Sequence, residues 1–342
     1  MCRLWRRHGL IQAAETNGLP RLIPSRPDPG SHVPLMDIPL MDPPKRNAIW
    51  HLHCCGDRIS RSVSDIPFRR IEQRLLGPVL YERLQFKQEQ DYWPHLRRPR
   101  SFSEKVAHRK LFEVNPLHST FADKWAVRDY VRAKVGDAIL NTVYCAVDDP
   151  AELPFTALPK SFVLKATHGS GMNIFIEDKA SADLDAVRRE CRVFLDTVYG
   201  GELNEFHYAR IPRRIIAERY LSDAVPGVPP DYKLFMFHGV CHYIQVDMDR
   251  FTNVTRRFFD RHWRPQPFAL RHPLGTITER PANLGEMIAV AEKLSEELDF
   301  VRVDLYSING RQVVFGEMTL TPGAGWARFS PREYDFRLGG LW

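Results

Sequence analysis

Residues 301–325 read VRVDLYSINGRQVVFGEMTLTPGAG. Two alternating apolar runs, 301–306 and 312–317, flank Asn309-Gly310, a pair suited to the left-handed positions of a type I′ turn, so the stretch predicts a β-hairpin. Asp304 stands five residues before the turn pair and Glu317 seven after it, which sets them near each other across the ladder with an offset of about two positions. Paired carboxylates in a partly buried sheet repel unless protonated or bridged by a cation. Oxygen ligation of Mg²⁺ gripping a phosphorylated substrate is one reading. Pairing with an arginine such as Arg302 is the other.

Outward from this hairpin the same grammar recurs. Residues 232–237 and 240–247 predict a second hairpin turning at His238-Gly239, and 161–165 with 173–177 a third around the loop HGSGM. A further strand covers RRIIAERYL at 213–221. Helical spacing is read at 68–93, 101–113, 121–135 (a stripe of Phe121, Trp125, Tyr130, Val131 and Val135), 184–198 and 284–298. Hairpins mixed with helices, without regular strand–helix alternation, indicate an α+β fold and not a Rossmann sheet.

The 342 residues carry 48 Lys and Arg against 42 Asp and Glu, a net +6 that suits anionic small ligands without requiring nucleic acid. Prolines crowd the start, at 20, 24, 27, 29, 34, 39, 43 and 44, with no helical or strand period between them. Residues 1–66 therefore read as a low-order tail, 67–150 as an N-terminal helical lobe and 151–342 as the main α+β body. The six cysteines show no CxxC spacing and read as reduced thiols. His51, His53, Cys54 and Cys55 crowd too closely to surround one tetrahedral ion, so they read as a chance cluster. No apolar run is long enough for a transmembrane span, and no signal-peptide core follows the basic start MCRLWRR, so the expected location is cytoplasmic.

In FVLKATHGSG, at 162–171, a strand ends on Lys165, and Gly169, Ser170 and Gly171 follow. A lysine at a strand end beside a loop whose N–H groups can fold over an anion suits phosphate; a plain glycine hairpin tip looks the same, and the Walker spacing is missing. Asp247-Met248-Asp249 is a DxD triplet, which keeps a glycosyltransferase reading open, and Arg250 beside it could contact an anionic acceptor.

FADKWAVRDYV, LPKSFVLKATHGSGMNIFIEDK, RRIIAERYL, DYKLFMFHG, the 301–325 hairpin and the closing LGGLW together resemble the TupA-like ATP-grasp family of bacterial polysaccharide biosynthesis, over about 68–342. The resemblance implies two α+β lobes gripping ATP, with an N-terminal helical region and a hinge near 218–222. It implies phosphate contacts from Lys124, Lys165 and the Gly169-Ser170-Gly171 loop, and adenine contacts from Glu218, Arg219 and Leu221. Lys233 and Arg302 fall at catalytic positions, the arginine to stabilise a tetrahedral intermediate, and Asp304 and Glu317 become Mg²⁺ ligands. Thr319 stands where many ATP-grasp enzymes carry asparagine, a weaker donor at a metal position. The implied activity is carboxylate–amine ligation through an acylphosphate. Its partners would be a glycan or small-molecule carboxylate and an amine donor, with an association with glycan-assembly machinery and no nucleic acid. A non-catalytic ATP-binding module is the remaining alternative.

Overall fold

The computed structural model describes residues 66–221, 230–248 and 254–342. The proline-rich tail up to residue 65, with its His51, His53, Cys54 and Cys55 cluster, lies outside the described residues, as do Asp249 and Arg250.

Four helices come first: α1 (Ile66–Gln90), α2 (Phe102–Phe112), α3 (Pro116–Ala122) and α4 (Val127–Val135). Gly77, at φ 72 and ψ 158, breaks α1 into two limbs just before Pro78, whose ring cannot continue the hydrogen-bond ladder. A capping box opens α2: the Ser101 hydroxyl accepts from the Glu104 N–H, and the Glu104 carboxylate accepts from the Ser101 N–H. The single helix expected over 121–135 is two. The Asp123 N–H ends α3 on the Ser119 carbonyl, while its carboxylate accepts the Trp125 N–H at 2.8 Å, so the chain turns between the helices. Lys124 sits in that turn, and Trp125 is exposed instead of joining the apolar stripe.

The smaller sheet is antiparallel. Its strands β1 (Val143–Val147), β2 (Phe162–Ala166), β3 (Asn173–Ile176) and β4 (Ile215–Arg219) lie in the order β1-β4-β2-β3. Helix α5 (Leu184–Asp196) lays Val187, Cys191, Phe194 and Leu195 on Phe162, Leu164, Ile215 and Ala217.

The larger sheet holds β5 (Asp231–Phe237), β6 (Val240–Met248), β7 (Thr255–Asp260), β9 (Phe300–Ile308) and β10 (Gln312–Thr319), in the order β10-β9-β5-β6-β7. A short pair, β8 (Ala269–Leu270) with β11 (Phe329–Ser330), and helices α6 (Leu284–Ser295) and α7 (Glu333–Gly339) complete the described chain. Strand alternation divides this sheet chemically. Leu234, Met236, Val301, Val303 and Leu305 face α4 and α6 in one core. The other face is apolar at one end, where Phe102 of α2 packs with Phe235, Phe237 and Phe300. Burying each such side chain contributes roughly 1.5–3 kcal/mol. At its other end that face carries Asp231, Lys233, Arg302 and Asp304.

Strand β10 departs from simple alternation. Gln312, not Arg311, stands opposite Ile308, and a bulge at Gly316 makes Glu317 the direct partner of Asp304. These two one-residue shifts absorb the offset of two that the turn pair predicted. The bulge also reverses the strand's phase. Val313 and Phe315 point into the α4–α6 core, as unbroken alternation would have sent Glu317. Only glycine fits, because a Cβ at Gly316 would lie 2.9 Å from the Asp304 carbonyl oxygen and 3.2 Å from the Tyr306 ring.

Candidate functional site

Glu317, Asp304 and Lys233 form one row across three adjacent strands, since Asp304 is the ladder partner of both others. Arg302, two residues from Asp304 on the same face, donates from Nε to Asp304 Oδ1 at 2.7 Å and from Nη2 to Oδ2 at 2.8 Å. The same Nη2 reaches Glu317 Oε1 at 3.1 Å and Thr319 Oγ1 at 3.0 Å, and the Thr319 hydroxyl donates to Glu317 Oε1 at 2.8 Å. Lys233 Nζ donates to Asp304 Oδ2 at 2.7 Å and to Asp231 Oδ2 at 2.6 Å. The carboxylate repulsion anticipated from sequence is thus relieved by Arg302 and Lys233.

Three carboxylates, Asp231, Asp304 and Glu317, stand among Lys233 and Arg302, with Lys124 beside Glu317. Burial lifts the Asp304 carboxyl to about 6 against the pull of Arg302 and Lys233. Burial also acts on Glu317, but Arg302, Lys233 and Lys124 outweigh it and hold that carboxyl below its ordinary value. Two carboxylates and a hydroxyl, all hard oxygen donors, are a donor set that fits Mg²⁺. Glu317 is the open member, with 39% of its side chain exposed against 3% for Asp304.

The smaller sheet carries further predicted residues. Lys165, on β2, donates to Glu218 Oε2 on β4 at 2.7 Å. Burial alone would raise the Glu218 carboxyl, yet Lys165, Arg128 and Asn141 together hold it below the usual range. The Arg219 N–H donates to the Thr142 carbonyl at 2.9 Å and its carbonyl accepts from Asn141 Nδ2 at 3.0 Å, so Tyr220 and Leu221 are the backbone positions that follow the fixed strand end. Lys124 Nζ donates to the Gly169 carbonyl, and Ser170 hydrogen-bonds the Tyr199 hydroxyl. A Cβ at Gly169 would meet Met172 Sδ and Tyr199 Cγ at 3.0 Å, so the loop packs where a larger residue could not. Lys124, Gly169, Ser170, Tyr208, Glu317 and Thr319 line one recess, which joins the glycine loop to the acidic row.

Several of these residues escaped the sequence reading. Asp231 was reachable, lying two residues before Lys233 on the same strand face. Asn141 and Tyr199 were not, because they come from irregular segments with no period of their own, nor was Tyr208, on a short 3-10 helix (Phe206–Arg210). Asp247 of the DxD triplet is held by Arg256, Nε to Oδ1 at 2.6 Å and Nη2 to Oδ2 at 3.1 Å, inside the sheet.

Behind the recess, Glu205 accepts from the Thr321 hydroxyl at 2.5 Å, and burial, opposed by that bond and by Lys110, pushes its carboxyl up to about 7. An acid whose folded value exceeds its unfolded value near 4.5 favours the fold while protonated. Its contribution is therefore complete below about pH 4.5 and is lost as pH rises through about 7, a change of roughly 3 kcal/mol. Glu205→Gln should remove this slope and raise the melting temperature at about pH 8 by several degrees. Equal melting temperatures for parent and variant across that range would refute the assignment.

Two antiparallel sheets, with a recess lined by Lys124 and the glycine loop on one side and by Glu317 and Thr319 on the other, and a carboxylate pair on the larger sheet, make up an α+β ATP-grasp fold. The family model described as TupA-like ATPgrasp matches residues 104–342, and the chain belongs to that family. Among solved structures, D-alanine–D-alanine ligase from Bacillus anthracis complexed with ATP is similar at 15% identity over 60% of this chain and 55% of that one, TM-score 0.36. An ADP complex of N5-carboxyaminoimidazole ribonucleotide synthetase is similar at 14% identity over 60% and 46%, TM-score 0.39. D-cycloserine synthetase is similar at 14% identity over 66% and 70%, TM-score 0.38. The chain thus spans about half the length of the first two, at 55% and 46%. No curated protein matches it.

Proposed function

We propose that the chain is an ATP- and Mg²⁺-dependent ligase that activates a carboxylate as an acylphosphate for attack by an amine, acting in the cytoplasm on a cell-surface polysaccharide or its precursor. The observation that carries this reading is the row Glu317–Asp304–Lys233, bridged by Arg302, whose outer member Glu317 shares a recess with Lys124 and Ser170. Family membership supports the nucleotide. The polysaccharide rests on the sequence resemblance alone.

In this reading Lys124, Lys165 and the N–H groups of Gly169, Ser170 and Gly171 hold the triphosphate. Lys165 exchanges its bond to Glu218 for a phosphate oxygen, and Glu218 with Arg219 and Leu221 borders the adenine. Asp304, Glu317 and Thr319 hold Mg²⁺, which when bound neutralises charge on the phosphate oxygens. Arg302 and Lys233 stabilise the oxyanion that develops as the amine attacks the activated carbonyl, and phosphate leaves as the amide forms. The glycine loop excludes water, which would hydrolyse the acylphosphate. Among the described residues no helix is long and apolar enough to cross a membrane.

ADP release measured over a panel of uronic acids and amino acids, with amines supplied, should depend on the carboxylate and vanish in Lys165→Ala. Release that ignores the carboxylate, or that survives this change, would sink the reading; stabilisation by UDP-sugars in place of ATP would favour a glycosyltransferase.

A further inference from the structure

The helical region ahead of the family-matched range carries a surface that the ligase chemistry does not use. On the second limb of α1, Tyr81, Glu82, Gln85 and Phe86 are buried against the body, while Val79, Leu80, Arg83 and Leu84 occupy the opposite arc and are exposed. On the first limb Ile71, Leu75 and Leu76 are exposed as well, Leu75 at 81%. Large aliphatics exposed in such numbers along both limbs of one helix mark a contact surface.

This apolar face has a cationic border. The Arg83 guanidinium lies 5.6 Å from the centroid of the Trp93 ring, and that indole is 51% exposed. Arg97, Arg98 and Arg100 follow, all exposed. Their loop is held from beneath by buried Glu104, whose carboxylate accepts the N–H groups of His95 at 2.9 Å, Arg100 at 2.7 Å and Ser101 at 3.1 Å. The arginines are therefore presented on a fixed backbone. Exposed acids nearby include Glu72, Asp91 and Glu333; Asp91 is paired with Lys87 and Arg332, and Glu333 with Arg337.

Exposed aliphatics, an amphipathic tryptophan and a border of arginines are the chemistry of a helix lying in a membrane interface. We propose that this face, α1 with Trp93 and the Arg97–Arg100 loop, docks the protein on an anionic lipid bilayer. An acidic polysaccharide would satisfy the arginines but leave the leucines in water. A second copy, set face to face about a twofold axis, would bring Arg83, Arg97 and Arg98 against their own counterparts.

Sedimentation of the full chain with phosphatidylcholine vesicles, with and without phosphatidylglycerol, tests this. The chain should pellet with the phosphatidylglycerol vesicles and be released by salt. Arg97→Gln with Arg98→Gln should weaken partitioning by about tenfold or more, as should Leu75→Gln with Leu80→Gln, both at the parent's melting temperature and ADP release. The proposal is overturned if the parent stays in the supernatant, if both double variants pellet like the parent, or if an acidic polysaccharide retains the chain and the vesicles do not. It is equally overturned if sedimentation velocity gives a dimer that both double variants dissociate.

Discussion

Glu317→Gln is expected to cut carboxylate-dependent ADP release by about a hundredfold to a thousandfold while moving the melting temperature by no more than about 2 °C. The substitution keeps the side chain's volume and an oxygen that can accept from Arg302 and Thr319, so the local bonds at 3.1 and 2.8 Å have a successor. What it removes is one negative charge. Asp304 would then be the one charged carboxylate left of the pair, already held by Lys233 and Arg302, and the attraction for a divalent cation would fall. Because the Glu317 side chain is 39% exposed, losing its charge leaves no buried polar group stranded, and the fold should hardly respond. The measurement is coupled ADP release against Mg²⁺ concentration, with a melt on the same sample. Parent-like turnover in a folded variant would remove Glu317 from the proposed Mg²⁺ ligands; a large fall in melting temperature would instead make it a structural residue.

Gly316→Val should damage fold and activity together, lowering the melting temperature by about 5–10 °C and ADP release by about a hundredfold or more. Its Cβ would press on the Asp304 carbonyl oxygen at 2.9 Å, backbone of the neighbouring strand that cannot yield without disturbing the ladder, and on the Tyr306 ring at 3.2 Å. Overpacking of this kind costs about 1–3 kcal/mol. The strand can escape by dropping the bulge, but regular pairing would turn Glu317 toward the core that holds Val313 and Phe315, burying a charge. Both routes separate Glu317 from Asp304. A variant with parent stability and parent turnover would show that the bulge does not set the carboxylate pair.

Much of the scaffold was legible because alternation and turn chemistry are local. Residues 301–325 announced their hairpin through Asn309-Gly310, and both turn residues take positive φ, 51 and 66. The 232–247 and 161–177 hairpins were readable for the same reason and pair as expected. The helix expected over 121–135 was misread because Asp123 bonds its own neighbourhood, and periodicity does not register a side chain that caps a turn.

The sequence by itself determined the α+β class, the hairpin that carries Asp304 and Glu317, and the family, since these follow from residue types at short range and from motifs in order. Tertiary structure decided which way Glu317 points, and that Arg302 and Lys233 stand between the carboxylates. It also decided that Tyr208 and Lys124 share a recess with Glu317. The first turns on a one-residue bulge, which reverses a strand's face without altering its composition; the others join segments far apart in the chain, whose approach depends on how the two sheets pack.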